Sequence, residues 1–242
     1  MINIVIPMAG AGSRFVKDGY KTPKPFIDVS GKPMIVRVLE NLSYPDARYI
    51  LVIRKEHLEV EWKLVEEIKR SFNVIFISID KLTEGTASTV LFTRKFINNE
   101  TPLLIANSDQ IIDIKITDYI DDCKSRKLDG SILTFIDKDR DTKYSFARVS
   151  DNGLVTEVKE KVGISDFATV GLYYFSKGLD FVNSAIDMII ENDRVNGEFY
   201  TCPVYNYLIR DNGKIGIYNI DINQMHCLGT PNDLNSYLKL IS

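Results

Sequence analysis

The chain has 242 residues, 45% of them hydrophobic and 26% charged, with a formal net charge of −3. That is enough for a sizeable core, and it lacks the basic excess that a nucleic-acid partner demands. Cys123, Cys202 and Cys227 stand far apart with no C-x-x-C pair, so neither a zinc site nor a disulfide framework is indicated. No apolar run reaches a membrane span of about 18 residues and no basic leader opens the chain, so no membrane partner is expected and the protein reads as cytoplasmic.

In chain order, residues 3–8 (NIVIPM) form a short apolar run bounded by glycine. Similar runs follow at 49–53, 74–79, 103–106 and 131–135. Continuous runs of this length suit strands buried on both faces, as in a parallel sheet. Between them lie stretches of helical spacing. Met34, Val38 and Leu42 recur at i, i+4, i+8 after Pro33, and residues 58–72 carry Leu64, Ile68 and Phe72 among charges; 86–96 continues the pattern. The first half therefore reads as a βαβ array.

The second half changes character. Runs at 146–150 and 154–158 flank Asp151-Asn152-Gly153, a hairpin signal, and 170–175 reads as a further strand. Helices are expected at 179–191 and 203–210, a strand at 215–220, and a last helix at 231–241 opened by Pro231. The prediction is one α/β domain over residues 1–242, its mostly parallel central sheet flanked by helices, with a small antiparallel insertion.

The stretch IPMAGAGSRFVKDGYKTPKPF, residues 6–26, follows the first strand directly. Strand, glycine loop and helix present backbone N–H groups to an anion. A P-loop is excluded because no Gly-Lys-Ser/Thr follows Gly10. A dinucleotide fingerprint fits Gly10 and Gly12 but finds Phe15 at its third position. An ordinary tight turn remains open on the glycines alone. Ser13 and Arg14 add a hydroxyl and a guanidinium fork suited to phosphate oxygens. Lys24 is braced between Pro23 and Pro25, which restrict the backbone on both sides.

Pro7-Met8-Ala9-Gly10-Ala11-Gly12-Ser13-Arg14 with Pro23-Lys24-Pro25 resembles the signature of the sugar-phosphate nucleotidyltransferases, the pyrophosphorylases that make nucleoside-diphosphate sugars. Their pattern is A-G-G-x-G-[ST]-R, a spacer, then P-K-P; Ala11 stands where many members have glycine. The resemblance extends along most of the chain and implies a Rossmann-like, GT-A-like fold. Residues 1–110 would form a nucleotide-binding half and 111–242 an acceptor-binding half. Met8, Ala9, Gly10, Ala11, Gly12, Ser13, Arg14 and Lys24 would hold the nucleotide. Glu84-Gly85-Thr86-Ala87 is similar to the family's G-T-A segment near the base. Asn107-Ser108-Asp109 follows a strand, and the matching family aspartate holds Mg²⁺.

On the acceptor side, Glu157-Val158-Lys159-Glu160-Lys161 resembles E-x-x-E-K, which assigns Glu160 and Lys161 to the acceptor's sugar and phosphate. Read alone it is a charged strand edge. Val170-Gly171-Leu172-Tyr173 resembles A-G-I-Y, where glycine lets substrate approach, and Asn196-Gly197-Glu198-Phe199-Tyr200 resembles G-E-[FY]-Y, with Glu198 as acceptor contact. Leu228-Gly229-Thr230-Pro231 matches the G-T-P opening the last helix. Many members place a second metal-binding aspartate where this chain has Cys227, and thiol is a poor ligand for a hard cation. Asp221 is the remaining oxygen donor upstream, and His226 would face the acceptor or be a satisfied, partly buried histidine.

The implied reaction is Mg²⁺-dependent transfer of a nucleoside monophosphate from CTP, UTP, GTP or dTTP to a phosphorylated small molecule, releasing pyrophosphate. Arg14, Lys24 and Lys161 would be its catalytic cations. The PMAGAGSRF, NGEFY and HCLGTP stretches are most similar to members from bacterial capsule and lipopolysaccharide clusters. That subgroup includes sugar-1-phosphate enzymes and a CTP:phosphoglutamine cytidylyltransferase. A non-catalytic binding module that kept the fold is the rival from another class, and homo-oligomerisation stays open.

Overall fold

β1 (Ile2–Pro7) runs through the middle of a nine-stranded sheet, parallel to β2 (Ala47–Arg54) on one side and β4 (Leu103–Ala106) on the other, with β3 (Val74–Ile79) beyond β2. The computed structural model describes residues 1–241. All residues from 2 to 6 are buried because both faces of the strand are covered. The period of two sends Ile2, Ile4 and Ile6 into one core and Val5 into the other. The first core is closed by Met34 and Val38 of α2 (Met34–Asn41) and Tyr119 of α7 (Ile116–Ser125). The second is closed by Val90 of α5 (Thr86–Leu91), Phe181 of α8 (Gly178–Ile190) and Tyr205 of α9 (Val204–Arg210).

The other half of the sheet holds β6 (Gly130–Ile136), β9 (Phe167–Phe175) and β10 (Ile215–Ile220). β9 lies antiparallel between β4 and β6, and β10 runs parallel to β6. The expected hairpin is β7 (Ser145–Val149) with β8 (Val155–Glu160), joined to β9 through Phe146 opposite Ala168. A separate two-stranded antiparallel sheet pairs β5 (Gln110–Ile112) with β11 (Met225–Cys227). The mixed α/β architecture, mostly parallel with small antiparallel additions, agrees with the sequence reading.

Strand order reverses between β1 and β4, since β2 and β3 lie to one side and the chain then returns across β1. The crevice at the carboxyl ends of such strands is where open α/β sheets bind ligands. Here the glycine-rich stretch leaves β1 and Asn107-Ser108-Asp109 leaves β4 at that crevice.

Two expected helices are each broken in two. The 58–72 stretch is α3 (Lys55–Val60) and α4 (Trp62–Ser71), with Glu61 out of the helical region between them. α3 buries no residue fully and meets the core only through the half-buried Leu58. The 86–96 stretch is α5 and α6 (Arg94–Ile97), separated where the buried Thr93 hydroxyl donates to Val90 O at 2.7 Å. β5, β11 and α7 lie outside the predicted elements, whereas the helix after the glycine loop is the five-residue α1 (Ser13–Lys17) and α10 spans Pro231–Ile241 as expected. Among the described residues no helix is long and apolar enough to cross a membrane.

Candidate active site

The crevice is a cavity of about 490 Å³. One wall is the stretch after β1, from Met8 to Arg14, with Lys24 behind it. Met8 N donates to Val52 O and Phe15 N donates to Gly12 O, but between them no N–H from Ala9 to Arg14 meets an acceptor among the described residues. Amides left without a protein partner form an anion-binding concavity when they follow one another around a turn into a helix N-terminus. The exposed guanidinium of Arg14 has no ion-pair partner among the described residues.

Lys24 begins a 3-10 turn, Lys24–Phe26, and its ammonium lies over the Phe15 ring at 5.7 Å. It forms an ion pair with the Asp109 carboxylate and lies 3.4 Å from the Gly229 carbonyl. Side-chain exposures of 18% for Lys24 and 24% for Asp109 leave both within reach of a ligand. The small sheet supplies the third corner of this contact. Pairing of Cys227 with Gln110, and the bond from Leu228 N to Asp109 O at 2.7 Å, bring Gly229 against the Asp109 carboxylate. Cys227 Sγ accepts from Gly229 N at 3.3 Å. Partial burial of the sulfur, then the neighbouring Asp109 charge, push its thiol up to about 11, so it stays protonated at neutral pH.

Thr83, Gly85 and Thr86 form the opposite wall, together with Glu198 and Tyr200. These two segments are fastened to each other. Phe199 N donates to Glu84 O at 2.7 Å, Ala87 N to Phe199 O at 3.0 Å, and Thr201 N to Thr86 Oγ1 at 3.1 Å. Gly85 has φ 109°, and a Cβ there would lie 2.3 Å from the Phe199 carbonyl oxygen; only glycine lets the two segments of this seam meet. Phe199 is buried while its neighbours are not, so the extended chain turns Glu198 and Tyr200 into the cavity. Tyr200 Oη donates to the Glu198 carboxylate and accepts from Lys161 Nζ at 2.7 Å.

Several residues assigned by resemblance lie elsewhere. The Glu84 carboxylate accepts from Arg194 at 2.7 Å and lies outside the cavity lining; the backbone of the seam, not this side chain, reaches the cleft. Glu160, the last residue of β8, is 7% exposed and accepts from Ser145 Oγ, and the chain turns away at Lys161 with φ 57°. Burial pushes its carboxyl up, opposed by the Ser145 bond and the Lys161 charge. Gly171, expected to admit substrate, instead admits the Asn107 amide: at φ 98°, a Cβ would lie 2.1 Å from Asn107 Nδ2. His226 alternates with Cys227 on β11 and turns away, its Nε2 2.7 Å from Asp113 and its ring beside Tyr237. Asp221 is a helix cap: its carboxylate accepts from Asn223 N and its own N–H bonds Gln224, so it is not beside Asp109 in the lining. Tyr200, Thr83, Thr89 and Ser108 line the cleft without having been singled out; for Tyr200 the signal was its place two residues after Glu198.

The sequence profile of the Nucleotidyl transferase family matches residues 4–198. Among curated proteins, the bifunctional protein GlmU of Methanococcus aeolicus is 25% identical over 221 residues, 89% of this chain and 49% of that protein. Mannose-1-phosphate guanyltransferase beta-B of Xenopus laevis is 27% identical over 179 residues, 71% of this chain and 49% of the other. The chain thus spans about half the length of the curated relatives it matches. In fold it is similar to the nucleoside-diphosphate-sugar pyrophosphorylase from Vibrio cholerae RC9, with TM-score 0.84 at 23% identity, covering 98% of this chain and 99% of that one. The inositol-1-phosphate CTP transferase from T. maritima gives TM-score 0.75 at 13% identity, covering 100% and 95%. With most of its length matched by the profile, the chain belongs to the nucleotidyl transferase family.

Proposed function

We propose that this chain transfers a nucleoside monophosphate from a nucleoside triphosphate to a phosphorylated small molecule, a sugar phosphate in the first reading, and releases pyrophosphate. The observation that carries this is the run of unpaired amides from Ala9 to Arg14, set in one cavity with Arg14 and Lys24. A triphosphate offers the anionic oxygens such a cradle needs.

The chemistry asks for positioning and charge neutralisation, not a covalent nucleophile. An oxygen of the acceptor phosphate attacks the α-phosphorus; the new P–O bond forms as the bond to the β-phosphate oxygen breaks and pyrophosphate leaves in line. The amides and Arg14 hold the triphosphate, Lys24 meets charge developing on the α-phosphate, and Lys161 holds the acceptor phosphate. Nucleotide phosphate approaching Lys24 competes with Asp109 for its ammonium, and so frees that carboxylate.

The donor set around Asp109 suits Mg²⁺ in one way. This cation commonly takes one or two carboxylates and completes its shell with water and substrate phosphates. Asp109 offers the carboxylate, protonated Cys227 offers none, and no three His, Cys, Asp or Glu side chains among the described residues cluster as a ligand set. Asp109 would hold the ion with the triphosphate, and the ion would neutralise phosphate charge.

A second reading, cytidylyl transfer to a non-sugar phosphate such as phosphoglutamine, is favoured by one observation. Glu160, assigned by resemblance to a sugar, is buried against Ser145 and turned from the cleft. The likeness of the PMAGAGSRF, NGEFY and HCLGTP stretches to capsule-cluster members supports a role in bacterial surface-polysaccharide assembly under either reading. The test is pyrophosphate release across four triphosphates against phosphorylated sugars and amino-acid phosphates. Release with a sugar phosphate supports the first reading, release only with CTP and a non-sugar phosphate the second. No release with any pair leaves the non-catalytic module as the account.

A further inference from the structure

The contact between Lys161 and Tyr200 joins residues 39 apart in sequence and sets Lys161, which does not itself line the cavity, against a residue that does. Lys161 Nζ donates to the phenol oxygen at 2.7 Å, and the phenol in turn donates to the Glu198 carboxylate. The ammonium also lies 4.6 Å from the Tyr200 ring centroid. One side chain thus uses its acceptor, its donor and its π-face together, and holds a cation and an anion at set places. Tyr200 is half-buried and lines the cavity, so water could satisfy its hydroxyl; burial does not require this bond. Lys161 itself turns through φ 57°, a left-handed conformation that non-glycine residues seldom adopt. That turn carries its side chain away from the buried Glu160 and toward Tyr200.

From this geometry we infer that Tyr200 is a positioning residue for the acceptor half of the reaction: it holds the Lys161 ammonium where the acceptor phosphate must arrive. The inference rests on the nucleotidyl-transfer reading above. It goes beyond it by assigning acceptor affinity to a phenol that need not touch the reacting atoms. Without the hydroxyl, Lys161 keeps its charge but explores several rotamers, and the acceptor must bear the cost of ordering it.

The variants are Tyr200→Phe, which keeps the ring under the ammonium, Lys161→Ala, and the double variant, each checked for a wild-type melting curve. In steady-state kinetics Tyr200→Phe is expected to raise the acceptor KM about tenfold while the triphosphate KM stays within about twofold. In the double variant the two losses should not add, since Tyr200 acts through Lys161. An acceptor KM within twofold of wild type, a parallel rise in triphosphate KM, or additive losses would overturn the inference. A substrate-free measurement separates its failure from that of the reaction reading. Acylation of Lys161 by an amine-directed succinimidyl ester, followed by peptide mass, should run at least about threefold faster in Tyr200→Phe, because the bond that occupies the amine is gone. An unchanged rate refutes the positioning role even if the wild-type chain releases no pyrophosphate.

Discussion

Replacing Gly85 by alanine tests the seam between the 84–87 and 199–201 segments without any assumption about substrate. Gly85 has φ 109° and ψ 173°, a region that is essentially glycine-only and costs other residues about 1–3 kcal/mol. The added Cβ would also lie 2.3 Å from Phe199 O and 2.6 Å from Phe199 N, both rigid backbone atoms. Relief requires the segments to part, which breaks Phe199 N to Glu84 O and Ala87 N to Phe199 O, each worth about 1 kcal/mol net. The sum is about 3–5 kcal/mol, or a fall in Tm of about 6–20 °C for a chain of this size. Circular dichroism melts measure it, with Gly10→Ala as control, since a Cβ at Gly10 meets nothing within 4 Å. If Gly85→Ala melts with that control, the seam is not the rigid joint described here.

Lys24→Ala should lower pyrophosphate release about 10²–10³-fold, the usual loss for one preorganised donor to developing charge; near-wild-type turnover would remove Lys24 from the chemistry. Glu160 has its carboxyl raised by burial, so the folded chain binds its proton more tightly than the unfolded chain does. That stability is present below the unfolded carboxyl's titration and is lost as pH rises through the folded one. Glu160→Gln should therefore melt progressively higher than wild type as pH climbs from about 4 toward 7, and parallel Tm profiles would refute the assignment. Cys227, with its thiol at about 11, should be alkylated slowly by iodoacetamide at pH 7, about tenfold faster per pH unit up to that value. Rapid modification at pH 7 would mean a thiolate in the cleft.

The large sheet is legible in the sequence because its strands are rich in apolar residues: β4, covered on both faces, is an unbroken apolar run, and the half-buried edge strands β3 and β10 also begin and end where their mostly apolar runs do. The small sheet is not, because three-residue strands such as Gln110–Ile112 and Met225–Cys227 carry no period, and only each other's presence makes them strands. That omission decides how His226 reads. Without β11 nothing says that His226 and Cys227 face opposite ways. α7 is a different case: Ile116, Tyr119, Ile120 and Cys123 form an i, i+3, i+4, i+7 stripe that lay in plain view among its charges. In the site, the glycine loop and Lys24 are readable because local spacing carries them. Tyr200 and the Arg194 partner of Glu84 depend on contacts 39 and 110 residues long, which no local pattern records.

The placing of β9 beside β4 bears on how the protein is made. Leu103 pairs with Phe175 and Ala106 with Leu172, so the four fully buried residues of β4 receive one of their two neighbours only when residues 167–175 exist. On a ribosome adding about 5–20 residues per second, the intervening residues 107–166 take about 3–12 s to emerge. Throughout that interval the nascent chain carries an apolar strand with a bare hydrogen-bonding edge, the template for pairing with another copy. A fragment ended at residue 110 would stay in that condition permanently. The glycine-rich loop is thus synthesised first, yet the strand that leads to Asp109 is sheltered only after the chain has been made through β9.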